Sequence, residues 1–177
     1  MKKMLAIILI IITFLIIYFL QANFFTWFNI AGIKPNLFVV LILLVGLFAG
    51  RKIGIPIAIF LGFFLDLIIG KSIGISAFMF AIIAFFGGYL DKNFSKDSRF
   101  TIMLMVAGST AIYEIGSYVF NVINLSAYVE IVNFTKILVI EIIYNTILTI
   151  ILYPLIQKIG YKLEEIFKEN KILTRYF

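Results

Sequence analysis

The chain has 177 residues, a net charge of +6, and no cysteine or histidine. Hydrophobic residues make up 63% of it and charged residues 14%, whereas a soluble domain has roughly 45–50% apolar and about 25% charged residues. These values exclude a water-soluble globule of this size, and the missing residue types exclude disulfides, thiolate nucleophiles and histidine-based catalysis or metal binding.

Six apolar runs predict membrane-spanning helices, each of which needs about 20 residues. They lie at residues 4–20, 37–50, 53–69, 73–90, 100–123 and 134–155. The first run follows Lys2 and Lys3, but it is longer than the apolar core of a signal peptide and no cleavage motif follows it, so we interpret it as a retained span. The predicted fold is all-α and polytopic, with six transmembrane helices in residues 1–157 and an amphipathic tail helix in residues 158–177.

The connection after the first span is rich in aromatic residues. Phe24, Phe25, Trp27 and Phe28 lie within five positions of one another. Aromatic side chains at this density are typical of the membrane interface, where one edge of the ring is hydrated and the other is apolar. We therefore expect this connection to lie along the membrane surface.

Small and polar residues recur at helical spacing in the later spans. Span 3 has Ala58, Gly62, Asp66 and Gly70; span 4 has Ala77, Ala81, Ala84 and Gly88; span 5 has Ala107, Ala111 and Glu114; and span 6 has Glu141, Asn145 and Thr149. Close packing of small residues, rather than the hydrophobic effect, drives helices together in lipid. These stripes are therefore expected to face protein and not lipid.

Three acids lie inside predicted spans, at Asp66, Glu114 and Glu141. A charged acid near the bilayer centre costs about 2.5–3.5 kcal/mol on the insertion scale, so each acid is expected to be protonated, paired, close to an interface, or in a wet cavity. Lys71 lies within reach of Asp66, and Lys136 within reach of Glu141. Asp66 is either a hydrogen-bonding acid at a hinge or a functional residue.

Glu114 lies deepest and has no basic residue in its own span. Together with the stripe of Glu141 and Asn145, it predicts a polar pocket, a docking groove for a partner helix, or a proton relay. No phosphate-binding loop, nucleophile elbow or dinucleotide fingerprint accompanies these residues. We therefore predict no enzyme activity, no catalytic residues, no cofactor and no metal site. A lipid-modifying enzyme would depend on Glu114 and Glu141 alone.

The basic residues of the loops and the tail predict the orientation of the chain in the membrane. Lysine and arginine accumulate in cytoplasmic loops, and an inside N-terminus places 12 of the 15 basic residues inside. Both termini are then cytoplasmic, and the positive charge favours lipid headgroups rather than nucleic acid. The tail carries a predicted i,i+4 pair, Glu164 and Lys168, on a helix that binds either headgroups or a cytoplasmic partner.

Several short motifs follow one another between residues 35 and 90. They are Pro35-Asn36-Leu37, Gly50-Arg51-Lys52-Ile53-Gly54, the block GFFLDLIIG at 62–70, Ile73-Gly74 with Ala77, and Gly87-Gly88-Tyr89-Leu90. In this order they resemble the rod shape-determining protein MreD family, and the likeness in length, hydropathy and topology extends over nearly the whole chain. The chain departs from the family pattern at Asn36, where Asp is frequent, and at Phe64-Leu65, where Gly-Leu is usual.

The resemblance implies a non-enzymatic component of the bacterial elongation machinery in the cytoplasmic membrane. Its partners would be MreC, the MreB filaments, and RodA with its penicillin-binding transpeptidase. The family is similar in structure to the six-helix S-components of energy-coupling factor (ECF) transporters, so the alternative function is vitamin binding as an S-component. The candidate partner-binding or intramembrane polar residues are Pro35, Asn36, Gly62, Asp66, Gly70, Gly74, Glu114, Glu141 and Asn145.

Overall fold

The computed structural model describes residues 2–69, 73–94, 96–125 and 130–168. These residues form seven helices and no strand, which confirms the all-α prediction. The helices are α1 (Lys2–Ala22), α2 (Phe24–Trp27), α3 (Leu37–Ala49), α4 (Arg51–Ile69), α5 (Ile75–Asn93), α6 (Arg99–Leu125) and α7 (Ile131–Phe167).

Four of the helices are long and apolar enough to cross a membrane, namely α1, α4, α6 and α7, while α3 and α5 are shorter apolar helices. The 13 residues of α3 extend about 20 Å, less than the hydrocarbon thickness of about 30 Å. Eleven of these residues are buried, so α3 is surrounded by other helices. A short helix is tolerated at membrane depth when protein covers its ends.

Glycines allow α3, α4 and α5 to pack with their backbones in close approach. A Cβ atom on Gly46 would lie 2.4 Å from the carbonyl oxygen of Ala84, and a Cβ on Gly62 would lie 2.6 Å from the Cα of Ala77. A Cβ on Gly54 would lie 2.9 Å from the Cα of Gly46. The small-residue stripes of spans 3 and 4 therefore face protein as predicted, and these positions exclude larger side chains.

The bundle has two chemically different ends. We call the end that contains α2 and the start of α3 the aromatic end, and the opposite end, where α4 begins and α7 finishes, the basic end. At the aromatic end Trp27 is 88% exposed, whereas Phe25 is buried and its ring packs edge-on against Tyr144. The Tyr144 hydroxyl donates a hydrogen bond to the carbonyl of Phe28 at 2.5 Å, which attaches the aromatic segment to α7.

Four charged residues form a connected network at the basic end. Lys96 contacts Asp91 at 2.6 Å and Glu164 at 2.5 Å, while Lys168 contacts Asp91 at 2.7 Å and Glu164 at 3.6 Å. Lys168 also donates to the carbonyl of Leu47 at 2.9 Å. Burial lowers the pKa of Lys168, and its hydrogen bond to Asp91 opposes that effect. The predicted Glu164–Lys168 pair is thus confirmed within a network that joins the end of α7 to α3 and α5.

The last span and the first part of the predicted tail form one helix. α7 continues without a break from Ile131 to Phe167, and the side-chain amide of Gln157 donates to the carbonyl of Lys96 at 2.6 Å. The amphipathic pattern of residues 158–167 therefore belongs to the end of α7. The remaining tail residues, 169–177, lie outside the described residues, and the division into a membrane domain and a tail helix stays a prediction.

Candidate functional site

Polar side chains are buried among the helices at two places. The buried set comprises Asp66, Ser76, Ser109, Thr110, Glu141, Asn145 and Thr149. Buried polar groups need hydrogen-bond partners because an unpartnered group loses its hydration without compensation. The partners therefore distinguish residues that stabilise the fold from residues that remain able to bind something else.

Asp66 caps a helix that follows it in the chain. Its carboxyl accepts hydrogen bonds from the backbone N–H groups of Gly74 at 2.8 Å, Ser76 at 3.1 Å and Ala77 at 3.4 Å. These groups lie at the start of α5, where N–H groups have no partner within the helix. Gly74 has a φ of +100°, which glycine adopts without strain. The geometry is that of a hydrogen-bonding acid at the α4–α5 turn; Gly70 and Lys71 lie outside the described residues.

Asn145 connects three helices in the middle of the bundle. Its side-chain oxygen accepts from the backbone N–H of Asn36 at 2.8 Å, and its side-chain nitrogen donates to the hydroxyl of Thr110 at 3.0 Å. The Thr149 hydroxyl donates to the backbone carbonyl of Asn145 at 2.7 Å. The polar stripe of span 6 is therefore buried as predicted, and Asn145 holds α7 against α6 and the start of α3.

Pro35 and Asn36 position the beginning of α3. The side-chain amide of Gln21 donates to the carbonyl of Pro35 at 2.8 Å, and the Asn36 side chain accepts from the backbone N–H of Val39 at 3.4 Å. Asn36 is thus the N-cap of α3, a role that Asn and Asp fill about equally well. The departure from the family pattern at this position leaves the cap in place.

Glu114 and Glu141 form a carboxyl pair between α6 and α7. The two side chains are close enough to interact, and the side chain of Asn36 also lies near Glu141. Two carboxyl groups that share a buried site repel each other when both are ionised, so a state with one proton on the pair is favoured. One oxygen of Glu141 is buried without a partner. Lys136, which the sequence placed within reach of Glu141, instead lies in an apolar depression on α7.

A polar cleft runs along α6 and α7 from this pair toward the aromatic end. We call it the α6–α7 cleft; its volume is about 270 Å³. The lining residues are Glu114, Ser117, Tyr118 and Asn121 from α6, and Glu130, Asn133, Phe134 and Ile137 from α7. The rings of Tyr118 and Phe134 stack with centroids 4.1 Å apart, which fixes the distance between the two helices.

Most residues of this cleft were not predicted from the sequence. Its α6 residues are polar at positions 114, 117, 118 and 121, and this i, i+3, i+4, i+7 spacing marks one face of a helix. This spacing could have identified the α6 side of the cleft. The α7 residues that line the cleft are partly polar and partly apolar, so they gave no comparable signal. The Ser117 and Tyr118 hydroxyls are buried without a hydrogen-bond partner. The cleft therefore offers negative charge and hydrogen-bonding groups to a ligand or partner.

The family model described as rod shape-determining protein MreD matches residues 1–162 of this chain. The match includes the Asp66 cap, the Asn145 contacts and the whole α6–α7 cleft. No curated protein and no solved structure matches the chain, so the likeness to ECF S-components stays a prediction.

Proposed function

Since this chain belongs to the rod shape-determining protein MreD family, we propose that it is a non-enzymatic membrane component of the elongation (rod) complex. In this role it binds MreC and the associated cell-wall synthases, RodA and its penicillin-binding transpeptidase, and so regulates cell shape and lateral peptidoglycan synthesis. The observation that carries the proposal is the family match over residues 1–162 of 177.

The distribution of polar groups supports a binding role inside the membrane. Partner helices in lipid associate through small residues and polar contacts, because their apolar faces are already solvated by lipid. The buried groups at Asp66 and Asn145 are occupied by contacts within the chain, whereas the α6–α7 cleft contains groups without partners. The cleft is therefore the part of the bundle best suited to a partner helix.

The basic end supports a cytoplasmic orientation for both termini in the bacterial inner membrane. Arg51, Lys52, Lys158 and Lys162 all lie at this end, which is the arrangement expected of a cytoplasmic face. Lys52, Lys158 and Lys162 are exposed and are available to MreB or to anionic headgroups. Lys96, by contrast, is held in the ion-pair network.

Purification of the tagged chain from its native membrane in mild detergent tests the proposal, with the retained proteins identified by mass spectrometry. We expect MreC, with or without RodA and MreB. Recovery of an ECF transmembrane subunit with its paired ATPases would contradict the proposal and favour the S-component alternative. A matched pair of variants, Glu114→Gln in the cleft and Glu165→Gln on the exposed end of α7, then shows whether the cleft takes part in retention.

A further inference from the structure

We propose that the α6–α7 cleft binds one basic side chain, lysine or arginine, on a transmembrane helix of a partner protein. The inference rests on the proposed function in one respect, namely that the chain has a membrane partner. It adds the chemistry by which that partner is recognised and the residues that recognise it.

The charge of the cleft favours a cationic occupant. Two carboxyl groups line it, those of Glu114 and Glu130, and Glu141 interacts with Glu114. Among the lining residues that the structure describes there is no lysine or arginine. With one proton on the pair, Glu114 and Glu141 together carry one negative charge, which one basic side chain would neutralise.

Unpartnered groups at the cleft call for a hydrogen-bond donor. Glu141, which interacts with the lining residue Glu114, is 6% exposed, and one of its carboxyl oxygens has no hydrogen-bond partner. The hydroxyls of Ser117 and Tyr118 are also buried without a hydrogen-bond partner. Such groups are costly in lipid, where no water replaces the missing partner. A lysine brings three N–H donors and an arginine five, so either side chain satisfies several of these acceptors at once.

The depth of the carboxyl pair favours a helix over a lipid headgroup. Glu114 lies 11 residues before Leu125, the last residue of α6, which corresponds to about 16 Å along the helix axis. That is about half of the 30 Å hydrocarbon core, whereas headgroup amines lie at the interface. A long basic side chain on a transmembrane helix reaches intermediate depths along its apolar stem, and the cleft runs parallel to such a helix.

A host peptide reconstituted with the full chain tests this recognition. The peptide is a leucine–alanine transmembrane helix with one arginine, glutamine or leucine at the depth of Glu114. Because the chain has no cysteine, a Lys158→Cys substitution at the exposed basic end accepts one fluorophore. Energy transfer to a labelled peptide then measures association in vesicles. We expect the arginine peptide to associate about tenfold more tightly than the leucine peptide, since hydrogen bonds to charged groups contribute on this scale.

Two cleft variants and one control variant show which residues produce the preference for the arginine peptide. Glu114→Gln is expected to reduce the arginine preference to within about twofold, while Glu165→Gln, which removes an exposed acid outside the cleft, keeps it tenfold. Tyr118→Phe provides a second cleft variant that removes only a hydroxyl, and a weaker preference is expected. Helix content and thermal unfolding of each variant are compared with wild type before association is measured.

Three results would overturn the inference. These are equal association of the three peptides, an arginine preference that survives Glu114→Gln in a folded protein, or retention of an amine-headgroup lipid by the wild type without any arginine preference. The peptide measurement needs no rod-complex protein, and the purification experiment needs no peptide. Failure of the cleft inference is thus distinguishable from failure of the proposed function.

Discussion

Replacing Asp66 by leucine tests whether this acid stabilises the fold or contacts a partner. In the structure its carboxyl accepts hydrogen bonds from three backbone N–H groups, at 2.8 Å from Gly74, 3.1 Å from Ser76 and 3.4 Å from Ala77. It is also 4% exposed, so little of it remains for a partner to contact. We therefore predict that the leucine variant loses stability first and function only as a consequence.

The magnitude follows from the two effects that the substitution removes. Loss of an N-cap acceptor costs about 0.5–2 kcal/mol, and loss of an acidic group at a helix N-terminus costs a further 0.3–2 kcal/mol or so. We expect the free energy of unfolding to fall by about 1–3 kcal/mol in Asp66→Leu. Asp66→Asn keeps one acceptor oxygen, so its loss is expected to be smaller, about 1 kcal/mol.

The assay is unfolding of the purified chain in detergent micelles, titrated with sodium dodecyl sulfate and followed by circular dichroism. Glu165→Leu serves as the control, because Glu165 is exposed and a surface change of this kind shifts stability by about 0.5 kcal/mol or less. Wild-type stability in Asp66→Leu combined with a loss of rod shape in complemented cells would refute the capping argument. Asp66 would then act through a partner.

Three further predictions concern packing, the central polar contacts and the aromatic end. Gly46→Ala is expected to lower the free energy of unfolding by about 1–3 kcal/mol through overpacking, because the new Cβ would lie 2.4 Å from a backbone oxygen. Gly108→Ala is the control, since nothing lies within 4 Å of its Cβ. It is expected to be neutral or to stabilise the fold by about 0.5–1 kcal/mol. Asn145→Leu removes side-chain hydrogen bonds to α6 and the start of α3 and is expected to cost about 1–3 kcal/mol in the same titration. Trp27 is the only tryptophan and is 88% exposed. Lipids brominated near the headgroup should therefore quench its fluorescence more than lipids brominated at the end of the acyl chain. Stronger quenching by the deep bromines would contradict an interfacial position for α2.

The helical fold was predictable because hydropathy and small-residue spacing are local properties of the chain. The stripe through Glu141 and Asn145 is one example, since i, i+4 spacing alone places both residues on one face of α7. The same geometry explains why no ion pair joins Lys136 to Glu141 among the described residues. Five residues along a helix correspond to a rotation of about 140° from one side chain to the other, so Lys136 and Glu141 point in different directions.

Contacts between helices could not be predicted from the sequence because they depend on how the chain folds back on itself. The donors to Asp66 are backbone groups, which every residue possesses, and only the α4–α5 turn selects those at Gly74 and Ser76. The interaction between Glu114 and Glu141 likewise needs the packing of α6 on α7. No local pattern in the sequence predicts that most residues of the 13-residue α3 are buried by the other helices.

Some buried polar groups have all their hydrogen-bond partners within the chain, and others do not. Substitutions in the two groups are therefore expected to change stability in opposite directions. Asp66 and Asn145 are satisfied within the chain, so removing either leaves donors unpaired and lowers stability. The carboxyl pair in the α6–α7 cleft is not fully satisfied. Removing its charge by Glu114→Gln relieves part of the cost of burial and is expected to leave stability unchanged or raise it, while binding of a basic partner helix weakens. Unfolding and peptide association measured on the same two variants therefore separate the roles, and a Glu114→Gln variant that lost stability like Asp66→Leu would assign the cleft to the fold.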